Sequence, residues 1–232
     1  MILMKAVIFA GGFGKRLRPL TDKTPKPLLE VGGKPIMEWQ ISWLKPYGVN
    51  SFIVTTSYLP EKIAQFAKDS SKLGVELDVI VEKEPLGKGG ALKNVKDFLK
   101  GEHEFLVLNG DVITNIDITD LKLNNYVASL ALVPLQSTYG IVNVKSDYVT
   151  SFVEKPVLPD YWINAGVYKM NSDIFKYLPD KGEIEDTTFP ELARNKLLGA
   201  TKFAKSYWKS TDSLKDMEDV NKDLLNKKVF RY

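Results

Sequence analysis

The sequence predicts an α/β fold, with a parallel sheet covered by helices on both faces in the first half and strands of mixed direction after it. Three observations point there. Short apolar, β-rich runs alternate with helical patterns. A glycine-rich basic loop follows the first strand directly. Beyond Asp111 the helices give way to closely spaced strands and turns.

The elements follow in order. Lys5 to Phe9 reads as a buried strand. Pro35 to Tyr47 reads as a helix, because Pro35 suits its first position and Ile36, Trp39, Trp43, Leu44 and Tyr47 share a side; Gly48 stops it. Ser51 to Thr55 is a strand, Pro60 to Lys68 a helix and Val75 to Val81 a strand. Lys88 to Lys100 is a helix with Ala91, Leu92, Val95, Phe98 and Leu99 on its apolar side. Phe105 to Leu108 is a strand running into Asn109-Gly110-Asp111. Strands are then expected at Val127–Val133, Gly140–Val144, Val149–Val153 and Ala200–Ala204, with helices at Asp173–Tyr177, Thr188–Leu198 and Asp212–Asn226. In a parallel sheet ligands bind beyond the carboxyl ends of the strands, and both the first loop and Asp111 fall on that rim.

Composition narrows the chemistry. The 232 residues carry 44% hydrophobic and 26% charged side chains, ordinary globular usage with length enough for a sizeable core. A net charge of +3 is too small for bulk nucleic-acid binding, so any anion site must come from local clustering. The absence of cysteine excludes disulfides, thiolate catalysis and zinc-thiolate sites, and one histidine excludes a multi-histidine metal cluster. No apolar run approaches the ~18 residues of a membrane span. Met1–Met4 is too short for a signal peptide, so a cytoplasmic protein is expected, with neither membrane nor nucleic acid as partner. Four tryptophans and ten tyrosines are compatible with a homo-oligomer patch and equally with core packing.

Ala10 to Pro27 packs three glycines, five Lys/Arg and three prolines into eighteen residues. Glycines let backbone N–H groups close on an anion, and Lys15, Arg16, Arg18, Lys23 and Lys26 add charge, which together suit a polyphosphate. A Walker A loop is excluded because Gly14-Lys15 is followed by Arg16. A dinucleotide fingerprint is excluded because Leu17 stands where the third glycine belongs, and no acidic residue ends the second strand. Asp111, at a strand end, offers a carboxylate for a hard cation, though an Asp in a turn has the same sequence signature. Asp212 either joins it at the metal or caps the last helix. Glu154 and Lys155 on an extended segment point to opposite sides unless the chain bends near Pro156. Asn164 can both donate and accept a hydrogen bond.

Gly11-Gly12-Phe13-Gly14-Lys15-Arg16-Leu17 with Thr24-Pro25-Lys26-Pro27-Leu28 resembles the signature of sugar-1-phosphate nucleotidyltransferases. Further matches are Glu84-Pro85-Leu86-Gly87-Lys88-Gly89-Gly90, Leu108-Asn109-Gly110-Asp111, Tyr139-Gly140, Val153-Glu154-Lys155-Pro156 and Asn164-Ala165-Gly166. The resemblance implies a Rossmann-like three-layer nucleotidyltransferase fold with a mostly parallel mixed sheet. It implies Mg²⁺-dependent transfer of a nucleotidyl group from a nucleoside triphosphate to a sugar 1-phosphate. It assigns nucleotide binding to Ala10, Gly11, Gly12, Gly14, Lys15, Arg16, Glu82, Pro85, Gly87 and Asp111. Lys26, Gly140, Glu154, Lys155 and Asn164 fall to the sugar phosphate, and Asp111 and Asp212 to the metal. Arg16, Lys26 and Asp111 are the expected catalytic residues. Many relatives carry Trp-x-Asp-Ile-Gly near the end, whereas this chain has Trp208-Lys209-Ser210-Thr211-Asp212, with Ser210 where that aspartate falls.

Relatives using uridine or thymidine nucleotides often hold glutamine near the position of Glu82. An ionised glutamate only accepts hydrogen bonds, which suits the adjacent N1–H and 2-amino donors of guanine. The Glu84-Pro-Leu-Gly pattern resembles mannose-1-phosphate guanylyltransferases. GTP with mannose 1-phosphate is therefore expected, against UTP, dTTP or CTP with a glucose-type sugar phosphate. A catalytically silent sugar-nucleotide sensor and a glycosyltransferase are the other readings. One catalytic domain over 1–232 is expected, without the C-terminal left-handed β-helix of many relatives.

Overall fold

The computed structural model describes residues 4–226 and 229–230. The expected features at Met1–Leu3, and at 227–228 and 231–232 in the terminal segment, lie outside them. In chain order the elements are β1 (Lys5–Phe9), β2 (Glu30–Val31), β3 (Lys34–Pro35), α1 (Ile36–Leu44), β4 (Ser51–Thr56), α2 (Pro60–Asp69), β5 (Glu76–Val81), α3 (Gly87–Asn94) and β6 (Glu104–Asn109). There follow β7 (Val112–Thr114), β8 (Ala128–Gln136), β9 (Ile141–Lys145), β10 (Tyr148–Val153), β11 (Val157–Asn171), α4 (Thr188–Arg194), β12 (Leu198–Lys202), β13 (Trp208–Ser210) and α5 (Leu214–Leu225).

A seven-stranded sheet has the order β12-β8-β11-β6-β1-β4-β5. β5, β4, β1 and β6 are mutually parallel, as are β12 and β8. β11 is antiparallel to both its neighbours, so one strand alone runs against the others. Alternation along the strands feeds two cores. Ala6 and Ile8, with Phe52, Val54, Leu106 and Leu108, pack under Met37 and Ile41 of α1 and Ile63 of α2. Val7 and Phe9, with Ile53, Phe105 and Val107, pack under Ala91 and Leu92 of α3 and Phe189 and Leu192 of α4. This is the three-layer arrangement expected. A third cluster holds α5, through Val220 and Leu224, against Leu17, Val31, Ile36 and Ile113.

The early strands match their expected ranges within a residue. α1 ends at Leu44 and runs into a 3-10 turn at Lys45–Tyr47 that Gly48, at φ 85°, closes. The helix expected to Lys100 stops at Asn94, and Lys96–Leu99 is a 3-10 turn that leaves Phe98 42% exposed. Asp173–Tyr177 is likewise a 3-10 turn, at Ser172–Lys176, and α4 ends four residues before the expected Leu198. The fifteen-residue β11 was not anticipated. Its sequence carries Pro159 and Asn164-Ala165-Gly166, and its pairing with β8 slips at those two places.

Strand order decides what meets at the carboxyl rim. Phe9 pairs with Asn109 and Thr55, so the loop after β1 emerges between the ends of β6 and β4. Ala10 N–H donates to Thr55 O at 2.8 Å and Glu82 N–H to Thr56 O at 2.8 Å, extending the rim to the end of β5.

Phe52 is fully buried in the core beneath α1. Replacing it with alanine should cost about 3–5 kcal/mol by combined transfer and cavity terms. The midpoint of urea unfolding should fall accordingly, with an unchanged slope.

Candidate active site

A cavity of about 420 Å³ opens on this rim. Its walls include Ala10, Gly11, Gly12, Lys26, Glu82, Pro85, Gly87 and Asp111, all expected from the sequence. Gly14, Lys15, Arg16, Gly140, Glu154, Lys155, Asn164 and Asp212 are not part of that wall.

Gly110 shows why the rim is this tight. A Cβ there would lie 2.4 Å from Phe9 O, so only glycine lets Asp111 follow β6 at this height. Lys26 opens a 3-10 turn behind Pro25, and that turn carries its side chain inward to 12% exposure. Its Nζ donates to Asp111 Oδ2 at 2.7 Å and to Asp212 Oδ1 at 2.8 Å. Arg16, 74% exposed, donates from a guanidinium nitrogen to the same Asp212 Oδ1 at 2.7 Å. Three distant segments thus converge on two carboxylates and two cations. The buried Thr211 fastens two of them, because its N–H and hydroxyl donate to Asp111 O at 2.9 and 3.1 Å.

The helix-cap reading of Asp212 is corrected. Ser213 caps α5, in a reciprocal box with Asp216. Asp212 Oδ2 instead accepts from Ser210 Oγ at 3.0 Å, so Ser210 supports the carboxylate that stands two residues after it. Burial opposes ionisation of Asp212. The hydrogen bond and charge of Lys26, the Ser210 hydroxyl and the Arg16 charge outweigh it and hold the carboxyl below its ordinary range.

Glu82 also lines the cavity and is 7% exposed. Its Oε2 accepts from Leu86 N–H at 3.0 Å, so one of its oxygens is already committed, which the sequence did not reveal. Burial pushes its pKa up, against the Leu86 hydrogen bond. A Cβ on Gly11 would approach Glu82 Oε1 to 3.5 Å, placing the free oxygen at the glycine loop.

Of the expected sugar-phosphate residues Lys26 lines the cavity, whereas Gly140, Glu154, Lys155 and Asn164 do not. Lys155 adopts φ 46°, the bend that Pro156 suggested, and its Nζ lies 3.6 Å from Glu154 Oε1, both side chains being exposed. Gly140 has no room for a Cβ, which would meet Phe152 Cζ at 2.6 Å and Glu154 Oε2 at 3.0 Å. Asn164 donates to Tyr168 Oη at 2.8 Å and accepts from Gly166 N–H at 2.9 Å. Burial, with Glu185 nearby, pushes the Tyr168 hydroxyl up, so it serves as a neutral hydrogen-bonding group.

Sequence reasoning missed Lys88 and Glu183 in the cavity wall. Lys88 stood inside the quoted Glu84–Gly90 motif, and its Nζ pairs with Glu185. Glu183 lies 95 residues further on and accepts from Lys88 N–H at 3.3 Å, a contact that no local pattern signals.

The nucleotidyl transferase family model matches residues 5–227, and the chain belongs to that family. D-glycero-alpha-D-manno-heptose 1-phosphate guanylyltransferase of Campylobacter jejuni is 41% identical over 175 residues, covering 74% of this chain and 78% of that protein. Mannose-1-phosphate guanyltransferase of Yarrowia lipolytica is 37% identical over 225 residues, covering 92% of this chain and 62% of that protein. The chain thus spans about three fifths of the length of the Yarrowia relative. Among solved structures, HddC of Yersinia pseudotuberculosis matches with a TM-score of 0.76 at 27% identity, covering 95% of this chain and 99% of that one. HddC has also been solved in complex with GMP-PN. The resemblance to sugar-1-phosphate nucleotidyltransferases and the Rossmann-like fold are borne out.

Lys26→Met should raise the pKa of Asp212, because it removes the lowering hydrogen bond and charge and leaves the burial. In the native chain that carboxyl is depressed, so its contribution to stability is full above the unfolded pKa and is lost as pH falls through the folded one. Carboxyl NMR titration of the variant should show the upward shift.

Proposed function

We propose that the chain transfers a guanylyl group from GTP to a manno-configured sugar 1-phosphate, with mannose 1-phosphate as its substrate, and releases pyrophosphate. The observation that carries this reading is the convergence of Arg16, Lys26, Asp111 and Asp212 at one edge of a glycine-walled cavity. Displacement at phosphorus asks a protein for alignment and charge neutralisation more than for covalent help. The glycine loop brings backbone N–H groups to the triphosphate. Lys26, fixed by two ion pairs, presents its charge where the α-phosphate and the sugar phosphate meet. Arg16, exposed and paired with Asp212, would meet the departing pyrophosphate from the solvent side. A sugar-phosphate oxygen attacks the α-phosphorus, and the bond to the β-phosphate oxygen breaks. The attacking oxygen is already an anion, so no residue has to remove a proton.

Two carboxylates that reach one ammonium within 2.8 Å fit a small hard cation, with phosphate oxygens and water completing its shell. Asp111 and Asp212 would hold Mg²⁺, which when bound supplies Lewis-acid neutralisation of phosphate charge. For the base, Glu82 offers its free oxygen to the donors on guanine, and a carboxylate in that place suits guanine better than uracil or thymine. The names of the two relatives share guanylyl transfer to a manno-configured sugar phosphate, which supports the substrate pair. Glu154, Lys155, Gly140 and Asn164 are the proposed sugar-phosphate residues.

Pyrophosphate release should be measured with Mg²⁺, crossing GTP, UTP, dTTP, CTP and ATP against mannose, glucose and N-acetylglucosamine 1-phosphates. A maximum at GTP with mannose 1-phosphate is expected; a UTP, dTTP or CTP maximum would discard the base assignment. Asp111→Asn should lower turnover by about 100-fold or more, and by more than Asp212→Asn. An unchanged rate in Asp111→Asn would remove the metal assignment.

Glu82→Gln should weaken discrimination for GTP by about tenfold or more, the worth of a hydrogen bond to a charged group. In the native chain GTP preference should fall as pH drops through the raised Glu82 pKa, a limb that the glutamine variant lacks. A pH profile of kcat/KM checks both.

A further inference from the structure

The two carboxylates proposed to hold the metal already share a cation that belongs to the chain. Lys26 Nζ donates to Asp111 Oδ2 at 2.7 Å and to Asp212 Oδ1 at 2.8 Å. Arg16 reaches the same Asp212 Oδ1 at 2.7 Å, and Ser210 Oγ donates to Asp212 Oδ2 at 3.0 Å. Both oxygens of Asp212 are thus committed, and two cations balance two carboxylates. A divalent ion arriving alone meets a network with no net charge. To be held between the carboxylates it has to displace an ammonium that is nearly buried against them. Among the described residues no group of three or more His, Asp or Glu side chains could hold a metal ion, so no third carboxylate or imidazole outweighs that ammonium here.

We propose that Lys26 is a resident counter-ion that holds a divalent cation off the Asp111–Asp212 pair until the phosphates of a nucleotide draw the ammonium away. The inference rests on the metal assignment above and goes beyond it, because it makes the metal site conditional on the nucleotide. The carboxylates do not need the lysine to stay together. β13 pairs antiparallel with β7, with Ser210 opposite Val112, and Thr211 N–H and hydroxyl both donate to Asp111 O. The backbone alone therefore sets Asp111 beside Asp212. The ammonium neutralises a pair that is already built.

The chemistry of lysine suits an exchange of partners. Its ammonium is a compact charge on a flexible stem with three rotatable donors, so it can turn from carboxylate to phosphate without any movement of the backbone. Lys26 lines the cavity, where phosphates would compete for it. A triphosphate is a polyanion, and its arrival converts a balanced network into one with excess negative charge. Lys26 and Arg16 then have phosphate oxygens to pair with. Asp111 and Asp212 are left facing a small hard cation, which is held by one or two carboxylates together with substrate phosphates. Every charge is paired before the exchange and again after it.

Titration with Mn²⁺ alone at mildly alkaline pH, followed by electron paramagnetic resonance of the free ion, tests this without any turnover. Lys26→Met should bind Mn²⁺ about tenfold or more tightly than the native chain, because both carboxylates then meet the ion with their charge unpaired. Arg16→Met, which removes an exposed pair, should gain less. Adding Asp111→Asn to Lys26→Met should abolish the gain. In calorimetry with Mg²⁺, α,β-methylene GTP should bind Lys26→Met about tenfold or more weakly than the native chain, the loss of a charged hydrogen bond to phosphate. Opposite signs for ion and nucleotide are a result that structural damage does not give, and thermal unfolding checks that the variants fold. A native chain that takes Mn²⁺ alone as tightly as Lys26→Met does overturns the proposal and leaves the metal assignment standing. If Mn²⁺ is bound neither by Lys26→Met nor by the native chain with α,β-methylene GTP, the metal assignment falls together with the proposal.

Discussion

The ammonium of Lys26 is the point on which the site depends. Asp111 and Asp212 come from segments about a hundred residues apart, and two carboxylates drawn together repel unless a cation lies between them. Lys26 supplies that cation from a third segment. A 3-10 turn after Pro25 fixes where it enters, and the Thr211 hydrogen bonds to Asp111 O fix the spacing of the carboxylates. The convergence in turn requires β1 and β6 to be neighbours, which the parallel crossovers provide. The same network that would meet a triphosphate therefore ties the first loop, the end of β6 and the start of α5 into one body.

Much of this was legible in the sequence because it is local. Runs such as Ala-Val-Ile-Phe and Phe-Leu-Val-Leu have the length and bounds of strands buried on both faces, and the glycine loop directly follows one of them. The losses came where tertiary packing overrules local pattern. β11 hides behind Pro159, Asp160 and Asn164-Ala165-Gly166, which read as turn chemistry; they are accommodated at slips in the β8 pairing. Gly89 and Gly90 look like poor helix material, yet α3 needs them, since a Cβ on Gly90 would lie 2.5 Å from Asp180 O. Phe98 has the right period but follows the change from α to 3-10 winding, which turns it outward.

The site shows the same division. Lys26, Asp111 and Glu82 could be named because each lies within or beside a motif. The pairing of Lys88 with Glu185 could not, because it joins residues 97 apart through the packing of α3 on the loop before α4. The contact is close: Gly89 N–H donates to Gly182 O at 2.8 Å, and a Cβ on Gly87 would lie 2.6 Å from the same oxygen. Gly87, which the resemblance assigned to nucleotide binding, is here also a point at which two segments touch.

Those observations divide the molecule into two mechanical regimes. Around Lys26 and Glu82 the groups are set by a sheet packed on both faces, and their positions are over-determined by backbone contacts too tight for a Cβ. The residues proposed to receive the sugar phosphate are different: Glu154 and Lys155 follow an exposed ribbon, and Lys155 holds a left-handed φ that a non-glycine residue adopts at some cost. Alignment to a reacting phosphorus must be good to a fraction of an ångström on both sides of the displacement. The sheet supplies that rigidity to the wall proposed to receive the nucleotide. On the acceptor side it has to come from outside the core, either from the sugar phosphate as it binds or from whatever covers the ribbon. An arm proposed to bear one of the two reactants while exposing both of its faces is therefore the part of this fold that has to be steadied before the two sides can align.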